Sequence, residues 1–463
     1  MGMARWNCVF PRHCPAPVSS GKSLTDFSLG RRCECVVPDL FLGGMAPSAQ
    51  GYNEAHNTKE SPRLNTASTL RADVRTIGLI GIAHLASHFF QLVIPPMFPL
   101  LKEEFGVGYT ELGFVMTLFF IISGGFQTVA GVLADRFGGG RVLLWGVALL
   151  SSGIILAAFA PSYPLLILAA LVAGLGNSVF HPADFAVLNA RVNPSRLGHA
   201  FSVHNIGGHL GWAMAPVYTV AMAAFGWRSA LLGAGLLGGA IFLLLLWQRD
   251  ALRTDIRTAT PGGTAATGSA RVLLAPRVLL CFVFFVLLSI SMVGTQNYLI
   301  PVLRSLYDAP LLLASSALTA YLLGSAAGTF TGGFVATRTR HPERVTAAGV
   351  AALALFYLLL ASGVVPQALL LATAAVSGFA LGVVLPARDL IVRDAAPPES
   401  RGKVYGFVYS GLDLGAAIAP VLIGWQLDRG QSGGALLTLA VLLSVSVLLI
   451  VQTQRLQLRA RSV

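Results

Sequence analysis

Residues 176–216 read GNSVFHPADFAVLNARVNPSRLGHAFSVHNIGGHLGWAMAP. Apolar residues flank a short polar crossing, Asn189 to His199, that holds Arg191, Asn193, Pro194 and Arg196. Inside the apolar runs sit His181, Asp184, His204 and His209, which lipid tolerates badly. Shifted by 204 positions the pattern returns between Pro386 and Val421, where Pro182, Ala183, Pro194, Gly198, Gly207, Leu210, Gly211, Ala213, Ala215, Pro216 and Val217 each meet the same residue. Chance gives roughly three such matches in so Ala-, Leu- and Gly-rich a chain, so the echo reads as an internal repeat of a six-helix unit.

Hydrophobic residues make up 55% of the chain and charged ones 11%. A soluble globule carries about a quarter charged residues, so this composition belongs in a membrane. The net charge of +12 does not indicate a nucleic-acid partner, because the basic residues are scattered through short loops with no basic helix face. Each span needs about 20 apolar residues. Helices are predicted over 75–101, 110–134, 141–160, 164–188, 199–224, 228–247, 276–300, 311–336, 345–363, 367–391, 403–426 and 434–452. The reading is an all-α membrane protein of twelve transmembrane helices in two pseudo-symmetric six-helix bundles. Residues 74–247 form the first bundle, 248–274 a polar linker, 275–452 the second bundle and 453–463 a basic tail. Placing both termini in the cytoplasm puts 18 basic residues, from Arg136 to Arg461, on that side, and leaves Lys102, Arg228, Arg304 and Arg429 outside. The expected location is a bacterial inner membrane.

Residues 1–73 mix Pro, Ser, Gly, Asn and charges without periodicity and read as a disordered tail. Cys8, Cys14, Cys33, Cys35 and His13 lie there without the paired spacing of a zinc site, and Met45 is a plausible later start. No apolar core with a small-residue cleavage site precedes Arg75.

The turn between helices 2 and 3 carries the sharpest motif, Gly131-Val-Leu-Ala-Asp135-Arg136-Phe-Gly138-Gly-Gly-Arg141. Gly131 is expected to let two helices approach closely and Gly138 to permit a left-handed turn. Asp135 is placed to accept from a helix N-terminus, while Arg136 and Arg141 face the cytoplasm. In the second half Gly333 and Arg338 match Gly131 and Arg136, but Thr337 stands in the place of the aspartate.

This motif between twelve helices in two halves resembles the major facilitator superfamily. Within it, residues 84–107, 173–185 and 196–216 are similar to the fosmidomycin-resistance type of drug efflux permease. The resemblance covers residues 77–452 and implies the major facilitator fold, with proton-driven export of small molecules by alternating access. The chain departs from the pattern at three places. Gly139 and Gly140 precede Arg141 where the superfamily has basic residues, Ala170 stands where many drug/proton antiporters carry an arginine, and Trp212 follows Gly211 where they have proline.

Polar residues inside the spans carry the chemistry. His84, His88 and Gln91 fall at i, i+4 and i+7 and share one face of helix 1; a lone histidine there could equally bond a neighbouring carbonyl. His181 and Asp184 lie one turn apart on helix 4 beside Pro182, with Asp184 either lining a cavity or partnering Arg191 or Arg196. Asn205 and His209 share a face of helix 5 with Trp212, and His204 points about 140° away from His209. Gly207, Gly208 and Gly211 read as close-packing positions. In the second half the polar places are Gln296 and Asn297 on helix 7, Arg388 and Asp389 on helix 10, and Tyr405, Tyr409 and Asp413 on helix 11. Arg388 and Asp389 point about 100° apart and are not expected to pair. Phe119, Phe120, Phe284 and Phe285 read as packing. Helices 1, 4, 7 and 10 are expected to line the cavity.

The leading function is an efflux permease exchanging a proton for a drug or metabolite. A proton-linked importer of a small organic acid and a transport-inactive receptor or scaffold are the alternatives. No H-E-x-x-H, G-x-S-x-G or Walker loop is present, so no enzyme, cofactor or metal is expected. The expected partners are a small-molecule substrate, protons and membrane lipid, with the protein a monomer. A proton carrier needs a pKa near working pH, and histidine starts at about 6.5. His88 is the first choice, followed by His209 and Asp413, and then Asp184.

Overall fold

The structure, a computed structural model, describes residues 70–254, 270–396 and 401–461. The cysteines of the tail, Met45, Arg257 and Pro398 lie outside the described residues. Among the described residues eleven helical runs are long and apolar enough to cross a membrane. The first five are α1 (Leu70–Phe105), α2 (Tyr109–Phe137), α3 (Gly139–Ala158), α4 (Tyr163–Arg191) and a 54-residue run, Pro194–Trp247. That run is two helices, α5 (Leu197–Met222) and α6 (Gly226–Trp247), joined at Ala223–Phe225. The chain folds back there: the Tyr218 hydroxyl donates to the Ala230 carbonyl at 2.7 Å, whereas twelve residues of straight helix span about 18 Å. Gly226 turns the corner at φ 81°. After the linker come α7 (Pro276–Tyr307), α8 (Leu311–Arg338), α9 (Pro342–Ala361), α10 (Gln367–Ala395), α11 (Arg401–Asp428) and α12 (Ser432–Arg461). The expected twelve spans are present, and α12 continues past the predicted end at 452 to Arg461.

Local chemistry sets the breaks. Pro182 has no N–H to bond the carbonyl one turn back, and α4 breaks between Asn177 and Phe180. Pro95 and Pro96 interrupt α1 in the same way. Gly138 takes φ 90° between α2 and α3, the turn its lack of a Cβ permits.

The packing repeats with the sequence. Pairs α1–α5, α2–α4 and α3–α6 in the first half recur as α7–α11, α8–α10 and α9–α12 in the second. Between halves α2 packs on α11 and α5 on α8; adding six to one pair gives the other, the signature of a pseudo-two-fold. The repeat glycines explain the fit. A Cβ on Gly211 would lie 2.2 Å from the Leu85 carbonyl oxygen, and one on Gly415 would lie 2.5 Å from that of Val286. Gly207 and Gly411 meet the carbonyls of Gly81 and Phe282 at 2.8 and 2.9 Å. These helices therefore cross backbone to backbone, as small residues allow in a membrane. Gly131 has no such role: its Cβ would only touch Pro182 at 4.0 Å. Large apolar side chains such as Leu236, Leu243, Phe330, Leu355 and Leu448 stay exposed around the outside, the surface a bilayer covers.

A Gly211→Val variant should lose at least the roughly 1–3 kcal/mol typical of overpacking, read as a lower thermal midpoint in detergent. Gly239→Ala, with open space around its Cβ, should leave the midpoint unchanged.

Candidate functional site

Three helices of the first half bring their ionisable residues to one point. Asp184 on α4 is fully buried. Its Oδ2 accepts from His204 Nε2 of α5 at 3.1 Å, and His84 Nδ1 of α1 lies 3.2 Å from the same oxygen, at an angle that makes an ion contact and no hydrogen bond. The His84 and His204 rings stack with centroids 3.5 Å apart. His88 packs on His84 at 4.4 Å and on Trp212 at 4.3 Å. His181 stands 5.2 Å from His84, exposed on the cavity side. The cluster is imperfectly satisfied: Asp184 Oδ1 and Nδ1 of His84, His88 and His204 are buried without a hydrogen-bond partner. Each such atom costs about 1–3 kcal/mol, so the arrangement is kept at some expense to stability.

Asp184 therefore does not partner the arginines considered for it. Arg196 pairs with buried Asp73 at 2.5 Å, and Arg191 donates to the Asp250 carbonyl at 3.2 Å. On helix 1, His88 and Gln91 line the cavity between the halves, while His84 is buried and does not; Gln91 is held by Asn177 (3.3 Å) and Trp212 (3.2 Å). His204, left out of the candidate set, lies at the centre of the cluster because the face opposite His209 is the one α5 turns toward α1.

Beside the cluster lies a cavity of about 190 Å³ between the halves. His88, Gln91, Phe120, Ser123, Gln127, Asn177, His181 and Trp212 line it from the first half, and Ser289, Met292, Gln296, Asn297, Leu412 and Asp413 from the second. Asp413 is exposed to it and has no hydrogen-bond or ion-pair partner among the described residues. A larger groove of about 320 Å³ between α5 and α8 offers only the hydroxyls of Ser315, Ser316 and Thr319 as polar side chains; the chemistry is in the central cavity. Its lining corrects the expectation for helix 10, since α2 and α11 reach the cavity and Arg388 and Asp389 are not among its lining residues. Phe120 is a cavity wall, while Phe119, Phe284 and Phe285 are core packing as expected. His209 bonds the Asn205 carbonyl at 3.0 Å and packs on Trp212, outside the ring cluster, and Asn205 is exposed.

Arg388 and Asp389, expected to diverge, do pair at 3.2 Å, because the long arginine side chain folds across the helix to its neighbour. Arg388 also covers the Phe285 ring at 4.7 Å, and Tyr405 donates to the Asp389 carbonyl at 3.1 Å.

The halves meet unevenly along the axis. At the Tyr109 end Asp428 of α11 accepts from the backbone N–H groups of Tyr109 (2.7 Å) and Thr110 (2.8 Å), from the Thr110 hydroxyl (2.5 Å), and pairs with Lys102 (3.3 Å). Tyr298 bridges the Tyr109 and Pro420 carbonyls, and Thr117 donates to Ala417 at 2.6 Å. Among the described residues the hydrogen bonds between halves gather at this end. At the Gly138 end Asp135 is exposed and has no hydrogen-bond or ion-pair partner among the described residues. It does not accept from a helix N-terminus among the described residues. Arg136 stacks on Phe137 at 5.4 Å, and exposed Arg141 lines a separate cavity with Arg249 and Arg253.

Residues 80–317 and 289–461 match the family model of the Major Facilitator Superfamily. The chain belongs to this superfamily. It is 28% identical to the fosmidomycin resistance protein of Escherichia coli (strain K12) over 369 residues, 76% of this chain and 87% of that one. It is likewise 28% identical over 269 residues to an uncharacterized MFS-type transporter of Bacillus subtilis (strain 168), covering 56% of this chain and 64% of the relative. The nucleoside transporter NupG shares the fold at a TM-score of 0.69 and 16% identity, over 83% of this chain and all of that one. The superfamily is one of multi-pass membrane transporters and not of enzymes.

Beyond His204, sequence reading passed over Ser123, Gln127, Asn177 and Ser289 on the cavity wall and Asp428 between the halves. Asp428 looks like the charged end of a span, and only the structure shows it capping the first turn of α2 across the two halves. An Asp428→Ala variant should lose about 1.5–3 kcal/mol of charge-assisted bonding and open the Tyr109 end more than tenfold more often. A Gln296→Cys reporter in a cysteine-free background should then react faster with an impermeant thiol reagent added from that side.

Proposed function

We propose that the protein is a proton-coupled exporter of a small drug or metabolite, working by alternating access as a monomer in a bacterial inner membrane. Residues 74–247 and 275–452 are the two moving halves, and 248–274 joins them. The observation that carries the reading is the polar cavity shared by both halves, with the hydrogen bonds between halves among the described residues gathered at the Tyr109 end. The basic loops put the Gly138 end in the cytoplasm, so this geometry is an inward-open state ready to load. The relative named for fosmidomycin resistance aligns along most of the chain, which supports export over import. Buried ionisable residues that a scaffold would not need speak for transport.

Asp413 takes the proton. It faces the cavity with no cation beside it, so a proton is what neutralises it as the cavity closes. His209, its counterpart in the repeat, has both a ring neighbour and a carbonyl partner. His88 is wedged between His84 and Trp212, which makes it a wall of the cavity more than a carrier.

A susceptibility screen in a pump-deficient host should give a substrate, and everted vesicles should then accumulate it when an inside-acid gradient is imposed. Asp413→Asn should abolish pH-driven accumulation while substrate-for-substrate exchange persists. Accumulation by this variant at the wild-type rate would assign the proton elsewhere. Accumulation unchanged by collapsing the gradient would remove proton coupling altogether.

Asp135 is free in this state and should be captured when the Gly138 end closes. A partly buried helix-end contact is worth up to about 2 kcal/mol, enough to move a two-state ratio more than tenfold. Asp135→Asn should lower turnover and leave substrate affinity unchanged, as measured by flux and by equilibrium binding on the same preparation.

A further inference from the structure

We propose that His84, His181 and His204, with Asp184 as the neighbouring carboxylate, form a binding site for one divalent transition-metal ion of the zinc, cobalt or nickel kind. One nitrogen from each imidazole lies within 4.8 Å of the other two. The three ligands come from α1, α4 and α5, so the ion would tie together three helices of the first half. In a tetrahedral zinc site, nitrogens bound at 2.0–2.1 Å stand about 3.3 Å apart. Closing the observed triangle onto an ion therefore takes shifts of about an ångström, together with a turn of one of the stacked His84 and His204 rings, since an imidazole binds a metal in its ring plane.

The donor set selects the ion. Three imidazoles suit borderline metals such as zinc, nickel and cobalt. Magnesium and calcium need shells of oxygen ligands, and a single carboxylate does not provide one. Asp184 supplies the negative charge that a dication inside a helix bundle requires. Its bond from His204 Nε2 is the carboxylate–imidazole contact that orients a metal-ligating histidine, and it leaves His204 Nδ1 buried without a hydrogen-bond partner. His84 Nδ1 and Asp184 Oδ1 are in the same condition. A network meant only to satisfy itself would not leave three such atoms in one cluster. His181 is exposed on the cavity side, which gives an ion a way in. Sequence spacing conceals the set because the ligands are 97 and 23 residues apart along the chain.

The site is independent of the transport reading, since occupancy is measured without flux. Purified full-length protein would be titrated with Co²⁺ followed by visible absorption, and with Zn²⁺ by competition. The tail cysteines and His13 are a second source of ligands, so the titration is repeated with Cys8, Cys14, Cys33 and Cys35 changed to serine. One Co²⁺ per chain should bind in both proteins, without thiolate charge-transfer absorption. Affinity should fall at least tenfold in His181→Ala and in His204→Ala, while His199→Gln and His341→Gln, exposed and outside the histidine cluster, should not change it. His181 points to the cavity, so its variant should keep the wild-type elution volume and thermal midpoint; it decides the matter if His204→Ala fails to fold. Absence of stoichiometric binding by the folded wild type would overturn the proposal. So would binding that survives His181→Ala at full affinity, or binding lost on serine substitution of the tail alone.

Discussion

A carboxylate sealed from water inside a bundle of apolar helices must find its partners on neighbouring helices. Asp184 is that group, and much of the first half is arranged to serve it. Its contacts arrive from α1 and α5, so those helices must cross closely enough for imidazoles to reach. Gly207 and Gly211 let α5 lie against the backbone of α1, and a Cβ on Gly208 would come within 2.8 Å of the His88 ring and 3.2 Å of His84 Nε2. The glycines of this stretch thus serve the chemistry through packing: they bring two helices to the distance at which His84 and His204 share one carboxylate oxygen.

The repeat makes the same place in the second half informative by contrast. The backbone contacts of Gly207 with Gly81 and of Gly411 with Phe282 align α7 with α1 at an offset of 201 (282 − 81). At that offset His84 corresponds to Phe285 and His88 to Ser289, while the offset of 204 pairs Asp184 with Arg388 and His204 with Val408. A stacked histidine pair on a carboxylate in one half is replaced by an arginine over a phenylalanine in the other. Backbone symmetry is kept because helix crossing demands it. Side-chain symmetry is given up: the first half brings imidazole rings to the cavity wall, while the second keeps its arginine off the wall and places the carboxylate of Asp413 on it.

The two ends of the molecule also divide the energetics. At the Tyr109 end one carboxylate, Asp428, binds the exposed N–H groups at the start of α2, where the helix dipole favours negative charge. Such bonds are strong enough to hold the halves together and few enough to release. Pairings α2–α11 and α5–α8 exchange under the pseudo-two-fold, so the two halves meet through symmetry-related pairs of helices on either side of the cavity.

The sequence by itself determined the membrane setting, the twelve spans and the two-fold repeat, and it set the expectation of a polar face on helix 1. Each follows from local quantities: apolar run length, identity at a fixed offset, and the 3.6-residue period. It also determined the turn at Gly138, because glycine acts on its own backbone; the break before Pro182 is not foreseen in it, since helix 4 is expected to run over 164–188 and Pro216, Pro301, Pro386 and Pro420 lie inside unbroken helices. Tertiary structure decided the rest. That Asp184 would choose histidines over Arg196 depends on which face α5 turns toward α1. That Arg388 would fold onto Asp389 and Phe285 depends on space left beside α7, and that α2 and α11 would replace α10 at the cavity depends on how the halves tilt. Asp428 is the plainest case: its partners are more than 300 residues away along the chain, and no periodicity or motif carries a contact made between the two halves.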